Sequence, residues 1–466
     1  MINPFLNPIF SLKALKYYLI DIERLWRISP EKLKRFQDKK IRQIVKYAYT
    51  VPLYHKKYKE LNIHPDDIKG IDDLRKLPTV SKEDVRKAFP EGVIPRNANQ
   101  NQLWKIQSSG STGKPVSFYR DTFGLFQDLI FGIRGQRVVN INWKKDRLTS
   151  FGPHDSPGRY DHAIKHAILD NAKFLSSSIK SYQHLSYSYD DFNEKFEKIN
   201  KFRPDYILGP PTEIQALASL KKKGYGKDIK PKVIVTSGGM LEKNVRSYIE
   251  DAFDCRVVDM YSSVEMSLAA FECEEGNYHV FSDFLYLEIL DENGEPVSSG
   301  EPGHVSLTRF YGKGTPFVRY TGLDDILTPL YETCPCGRQT QLLKSIDGRR
   351  VHQIISPDGK YITPVVFTRG IDKAMQSLKT DKISQYQVVQ KKSDEIDLLI
   401  VINEEKKNDP PSIDKLISEI KKEYNKIFGK TFQFDVKVVK KVIGGDKPNK
   451  TPPIVVSMLD NNEKYS

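Results

Sequence analysis

The chain has 466 residues, 39% of them apolar and 29% charged, with a formal charge of +13 and four cysteines. This length implies at least two domains with a large core, the composition excludes a low-complexity chain, and four cysteines exclude a disulfide scaffold. The cationic excess favours anionic partners such as nucleotides or acyl thioesters. Nucleic acid is excluded because the lysines spread over solvated helix faces such as residues 31–46, with no arginine-rich strip among aromatics.

Residues 1–26 are fairly apolar but interrupted by Lys13, Lys16 and Asp21. They match neither a secretory signal nor a transmembrane segment. A helix packed on its own domain is expected, with a resting place on a membrane surface as the alternative, and the chain reads as cytoplasmic. Ser29-Pro30 opens a helix, serine as cap and proline in the first turn. Leu33, Phe36, Ile41, Ile44, Val45 and Ala48 then fall on one face.

The stretch QSSGSTGKPVSFYR, 107–120, reads as a run for holding phosphate, with an ordinary turn as the alternative. It is not a Walker A loop, because Ser108 stands where the first glycine belongs and Pro115 where the magnesium-binding hydroxyl belongs. What remains is a flexible run of donors, Ser108, Ser109, Ser111 and Thr112, with backbone N–H groups freed by Gly110 and Gly113. The aromatics of 118–132 suit either a flat pocket wall or the core.

Between 200 and 262 the pattern reads β-α-β-α-β, with strands at Tyr206–Leu208, 233–236 and 256–260. This is a parallel sheet covered by helices. The segments GPPT, TSGGM and YSSVE each follow a strand, so all three are predicted to face one crevice at the carboxyl ends. Residues 284–328 turn to strands, with an Asn293-Gly294 turn signal. Beyond Gly348 a small α+β unit follows: a strand pair around Asp358-Gly359, a helix near 366–378, two strands, a charged helix over 411–428 and a last strand at 432–439. The hinge is placed at Asp347-Gly348-Arg349. The expected fold class is α/β, with a large N-terminal domain over 1–347 (parallel sheets with helices plus a β-rich subdomain) and a small mobile α+β domain over 348–466.

Cys273-x5-His279 and Cys334-Pro-Cys336 supply three thiolates and an imidazole. That set suits a closed, structural Zn²⁺ site, provided that hairpin ends 60 residues apart meet. Four unrelated reduced cysteines are the alternative.

Several motifs in order resemble the adenylate-forming enzymes of acyl-CoA synthetase type. SSGSTGKPV resembles their SSGTTGKP signature, TSGGM (236–240) their SGGE loop, PFVRYTGLDDI (316–326) PxIRYRTGDL, and IDGRR (346–350) the hinge IxGRxDD. YSSVEMSLAAFEC (261–273), YAYTVPLYHKKY and LPTVSKEDVR are similar to segments of the phenylacetate–CoA ligase and CapK-like branch. Similar EC…H and CxCGR elements occur in some CapK-like members.

The resemblance implies attack of a carboxylate on the ATP α-phosphate, then transfer of the acyl group to coenzyme A, or alternatively to a carrier protein or amine. A nucleotide-binding homologue without turnover is the third possibility. It implies that Ser108, Ser109, Gly110, Ser111, Thr112, Gly113 and Lys114 hold the β- and γ-phosphates. Ser237, Gly238 and Gly239 would line the adenine, Tyr261 stack on it, and Ser262 and Ser263 sit beside the α-phosphate. Glu265 would ligate Mg²⁺, and Asp324 or Asp325, preferably Asp324, would grip the ribose. Arg349 would approach the α-phosphate or ribose. Lys450, with Lys447 as alternate, would be the C-terminal catalytic lysine. One departure concerns the hinge: Arg350-Val351-His352 replaces the usual acidic pair.

Overall fold

The computed structural model describes residues 3–21, 28–108, 115–142, 145–152, 160–171, 182–186, 192–239, 241, 243–291, 293–323, 325–346, 354–357, 361–362, 364–380, 382–402, 404–429, 431–443 and 455–457. The chain opens with α1 (Pro8–Lys16), capped by the Asn7 side chain. Helix α2 (Pro30–Tyr49) starts as its sequence predicts: Ser29 Oγ accepts from the Lys32 N–H, and Pro30 occupies the first turn, where its missing N–H costs nothing. Its inner face holds Leu33, Ile41, Ile44, Val45 and Ala48 as expected. It also buries Gln37, which donates to the Ser282 carbonyl at 2.7 Å, while Phe36 is only half-buried.

Helices α3 (Pro52–Glu60) and α4 (Lys82–Ala88) follow, the latter closed by a Ser81–Asp84 capping box. Strands β1 (Leu103–Gln107) and β2 (Ser117–Asp121) pair antiparallel, in register from Leu103↔Asp121 to Gln107↔Ser117. Gln107 and Ser117 therefore stand opposite each other at one end of the pair. Helix α5 (Thr122–Val138) is buried nearly all round and includes Asp128 and Arg134 among its buried residues. Arg134 Nη1 donates to both carboxylate oxygens of Asp283 at 2.9 Å, the compensation that a charge inside a core requires.

The remaining elements of the large unit are β3 (Leu148–Gly152), α6 (Tyr160–Ile164), β4 (Tyr182–Ser186), α7 (Phe192–Phe202), β5 (Tyr206–Gly209), α8 (Pro211–Lys222), β6 (Val233–Ser237), α9 (Lys243–Phe253), β7 (Arg256–Ser263), β8 (Ser267–Glu272), β9 (Tyr278–Val280), β10 (Leu285–Leu290), β11 (Gly303–Arg309), β12 (Ile326–Leu330) and β13 (Leu342–Ile346). They form one sheet of eleven strands among the described residues, ordered β10-β11-β12-β13-β9-β8-β7-β6-β5-β3-β4. From β4 to β7 the pairing is parallel, and from β7 to β10 it is antiparallel.

The expected parallel and β-rich regions are both present, continuous in one sheet where β7 pairs with β8. One sequence expectation changes here. Strand β7 runs on to Ser263, so Tyr261, Ser262 and Ser263 lie in the strand and not in a loop after it. The Asn293-Gly294 turn is present, Gly294 adopting φ +83°, but β10 pairs with β11, and the returning chain meets it at the Leu290↔Pro296 bridge and through the Val297 N–H to the Ile289 carbonyl.

One face of the parallel half packs Phe151, Phe196, Ile207, Ile214, Ile249 and Val257 into a core with helices α7, α8 and α9. Residues beyond 354 have their own core, including Phe367, Ile371, Ile400, Ile420 and Phe428. That unit contains the pair β14 (Ile354–Ile355) and β15 (Tyr361–Ile362), α10 (Pro364–Ser377), β16 (Ile383–Gln390), β17 (Glu395–Ile402), α11 (Ile413–Phe428) and β18 (Gln433–Val438). A strand absent from the sequence reading, β19 (Val455–Ser457), completes its four-stranded sheet by pairing parallel with β16. The hinge Asp347-Gly348-Arg349 lies outside the described residues.

Candidate active site

The phosphate loop is held at its base. Ser108 N–H donates to the Val116 carbonyl and the Val116 N–H donates to Ser108 Oγ, both at 2.9 Å. That bond uses Ser108 Oγ as an acceptor and leaves its O–H to donate. Ser109, Gly110, Ser111, Thr112, Gly113 and Lys114 lie outside the described residues.

Strand β2 is pinned from its other edge. Tyr119 N–H donates to Thr315 Oγ1, and Thr315 N–H returns a bond to the Tyr119 carbonyl, both at 3.0 Å. Gly314 has φ +140°, and a Cβ there would stand 2.5 Å from the Tyr119 carbonyl oxygen, so only glycine permits this approach. Two tyrosines of the N-terminal aromatic cluster clamp the same segment: Tyr47 OH donates to the Gly314 carbonyl and Tyr54 OH to that of Pro316, both at 2.9 Å. The LPTVS segment closes on it too, with Val80 N–H to the Arg319 carbonyl and Thr321 N–H to the Val80 carbonyl at 2.9 Å. The N-terminal motifs thus serve as braces for 312–321.

The carboxyl ends of β5, β6 and β7 align as parallel pairing requires, Gly209 opposite Thr236 and Ser237 opposite Met260. Ser237 Oγ and Ser262 Oγ are 2.7 Å apart. Gly238 adopts φ +81°, and Gly239 passes so close to Pro211 that a Cβ would lie 3.3 Å from its ring. The three segments therefore do meet at one sheet end, although Pro211 is already the first residue of α8.

Behind them Asp259 accepts from Thr236 Oγ1 at 2.6 Å and from Tyr278 OH at 2.8 Å. Burial pushes its carboxyl up to about 6, against the pull of those two hydroxyls. Tyr261, itself buried, donates its OH to Asp325 at 2.7 Å. Asp324 lies outside the described residues.

Glu265 sits in the turn between β7 and β8. Ser263 Oγ accepts from the Met266 N–H at 3.3 Å and shapes this turn. The Glu265 backbone carbonyl accepts from Arg120 of β2 and from Arg309 Nη1 of β11. Arg309 is itself paired with Asp128 of α5. Both guanidinium groups are 1% exposed, so the turn is fixed by charges that the core has already taken up. The side chain of Glu265 is 5% exposed, and among the described residues it has no hydrogen-bond or ion-pair partner. Arg120 thereby ties the hairpin of the phosphate loop to the turn of Glu265. Lys447, Lys450 and Arg349 lie outside the described residues.

A second cluster gathers where the end of β8, strand β9 and the segment before β13 meet. The ligand atoms of Cys273, His279, Cys334 and Cys336 all fall within 4.8 Å of one another. Cys273 and Cys334 sulfurs are 3.7 Å apart, too far for a disulfide and close to the separation of two thiolates on one tetrahedral ion, roughly 3.8 Å for bonds of about 2.3 Å. His279 Nε2 lies 3.0 Å from Cys336 Sγ, and its Nδ1 lies 3.0 Å from Thr340 Oγ1, which orients the ring. Burial lowers the His279 pKa to about 4 and keeps the imidazole neutral. Burial also raises Cys334, but the Cys336 N–H and the surrounding hydrogen bonds outweigh it and hold that thiol below its ordinary value.

Sequence reasoning missed Arg120, Arg309 and Asp128, and also Asp259 with Thr236 and Tyr278. A signal for Arg120 and Asp128 was present: charged residues inside the apolar run 118–134 must be buried and therefore paired.

No family model matches the chain. Phenylacetate-coenzyme A ligase of Thermus thermophilus is 24% identical over 352 residues, covering 72% of this chain and 74% of the relative. Protein CapK of Staphylococcus aureus is 23% identical over 449 residues, covering 92% and 90%. A crystal structure of 2-hydroxyisobutyryl-CoA ligase with 2-HIB-AMP and CoA in the thioesterification state matches with a TM-score of 0.62 at 18% identity, over 93% of this chain and 91% of that one. The fold is thus that of the adenylate-forming ligases. In sequence the chain is similar to the phenylacetate–coenzyme A ligases and to CapK.

Proposed function

We propose that the chain is an ATP-dependent carboxylic acid–coenzyme A ligase that works through an acyl-adenylate. A carboxylate oxygen bonds to the α-phosphorus as the bond to pyrophosphate breaks. The thiol of coenzyme A then attacks the acyl carbon and AMP leaves with the electron pair. The observation that carries this reading is Glu265, buried and with its carboxylate unpartnered among the described residues; it lies in the turn that follows Tyr261 and Ser262, and its backbone carbonyl accepts from Arg120 of β2.

Ser108 to Lys114 hold the outer phosphates. Ser237, Gly238 and Gly239 line the adenine, Tyr261 stacks on it, and Ser262 and Ser263 meet the α-phosphate. Asp325 takes the ribose in preference to Asp324, because its carboxylate already accepts from Tyr261. Glu265 fits Mg²⁺, a hard cation that takes carboxylate oxygen and draws charge from the phosphates. Arg349 and Lys450 act from the smaller unit, which spans 348–466 as a mobile domain against 1–347. Its separate core supports that division.

Cys273, His279, Cys334 and Cys336 fit Zn²⁺ in a closed structural site, since all four positions come from the protein. Zinc there would join β9 to the segment 334–336. All four cysteines are free thiols, which suits the cytoplasm. A carrier protein or amine as acceptor in place of coenzyme A is the alternative, since Arg350-Val351-His352 departs from the usual acidic hinge and bears on the second half-reaction more than on the first.

The test is pyrophosphate release from ATP over a panel of aryl, alkyl and amino acids, with and without coenzyme A. Release that depends on one class of acid, with a thioester formed when coenzyme A is present, supports the reading. Release that coenzyme A leaves unchanged, with no thioester, assigns a different acceptor. ATP binding with no release across the panel overturns it.

A further inference from the structure

The outer face of α1 and the turn after it is apolar and uncovered. Leu6, Ile9, Leu12, Leu15 and Leu19 are between 53% and 74% exposed, and they make up five of the eleven exposed large apolar side chains among the described residues. The opposite face is firmly seated. Phe10 meets Phe123 edge-on with ring centroids 5.6 Å apart, Tyr17 meets Phe123 at 6.2 Å, and Ala14 is buried. The helix is therefore apolar on both sides. One side anchors it to α5 by aromatic packing, and the other offers a leucine ridge to the surroundings.

The charges on the ridge indicate what covers it. Lys13 and Lys16 stand exposed among the leucines, and residues 1–20 contain no acidic side chain, the first being Asp21. A second copy laid on this face would bring lysines against lysines with no acid in the segment to match them. The ridge is convex, so it offers no groove to a peptide. A nine-residue helix is about 14 Å long, too short to cross a hydrocarbon core of about 30 Å. No helix among the described residues is long and apolar enough to cross a membrane. Leucines flanked by lysines on a helix fixed flat against its domain match a bilayer interface with anionic headgroups.

We propose that this face of α1 docks the protein on the surface of an anionic lipid bilayer. Leu6, Ile9, Leu12, Leu15 and Leu19 enter the headgroup boundary, and Lys13 and Lys16 contact the anionic headgroups. The proposal is independent of the ligase reading.

The experiment is co-sedimentation of the full chain with vesicles of phosphatidylcholine, alone or with about a third phosphatidylglycerol. Binding is expected on the anionic vesicles, weak on the neutral ones, and falling with salt. The triple variant Ile9→Ser, Leu12→Ser, Leu15→Ser and the double variant Lys13→Glu, Lys16→Glu should each lose at least about tenfold in partitioning. All five side chains are exposed, and an unchanged thermal midpoint checks that the variants fold. Equal recovery with neutral and anionic vesicles, or a triple variant that binds like the parent, overturns the proposal. So does a concentration-dependent dimer in sedimentation velocity that the triple variant abolishes. Capture by soluble polyglutamate without vesicle binding also overturns it and assigns the face to an acidic protein.

Discussion

Asp259 in β7 and Glu265 in the turn that follows it are both buried carboxylates, and their surroundings give them opposite tasks. Glu265 has its backbone carbonyl fixed by Arg120 and Arg309 while its carboxylate stays unpartnered among the described residues, an arrangement suited to receiving a cation. Glu265→Gln keeps the shape and removes the charge. It should lower adenylation by about 10²–10³ and raise the magnesium concentration needed for half-maximal rate, with folding little changed, as measured by pyrophosphate release across a magnesium titration. Asp259 instead faces two hydroxyls and costs stability when ionised. Its folded value of about 6 lies above the 3.8 of an ordinary aspartate. Its contribution is therefore full below about pH 4 and is lost as pH rises through 6, for a total of about 2–3 kcal/mol. Denaturant unfolding of the parent and of Asp259→Asn, compared from about pH 4 to pH 7, should show the parent losing that much relative to the variant. A difference that stays constant with pH would show that Asp259 does not titrate in this window.

At the scale of elements, what was legible followed local chemistry. The Ser29-Pro30 helix start, the alternation of strands and helices over 206–263, and the meeting of three segments at one sheet end follow from caps, periodicity and parallel pairing. The β1–β2 hairpin was not legible, because β1 is half-exposed and its partner is pinned by Gly314 and Thr315, almost 200 residues away in sequence. Strand β19 is three residues long and exists only because β16 offers it an edge. Long-range closure of this kind leaves little periodic trace. The cysteine cluster lies between these cases: its ligands were readable from residue type, whereas their convergence depends on β9 pairing with β13. Cys336→Ser should remove about one bound zinc per chain and lower the Tm by several degrees, measured by elemental analysis and thermal unfolding. A parent protein purified without zinc and equally stable in chelator would contradict the assignment.

For the whole molecule, the large unit carries the sheet-end cluster and the unit beyond 354 carries its own core. In the proposed reaction a cation from the second unit meets the charge that develops in adenylation. Lys450→Ala should slow adenylation by about 10²–10³ while leaving transfer from a preformed acyl-adenylate nearly unchanged, and Lys447→Ala should do much less. Equal effects of the two variants, or a larger effect of Lys447→Ala, would move the role. The most direct test of adenylation is phosphorus NMR of the products formed from ATP with an accepted carboxylic acid. Equal amounts of AMP and pyrophosphate, formed only when the acid is present, are the predicted result. ADP with orthophosphate, or hydrolysis indifferent to the acid, would contradict the account.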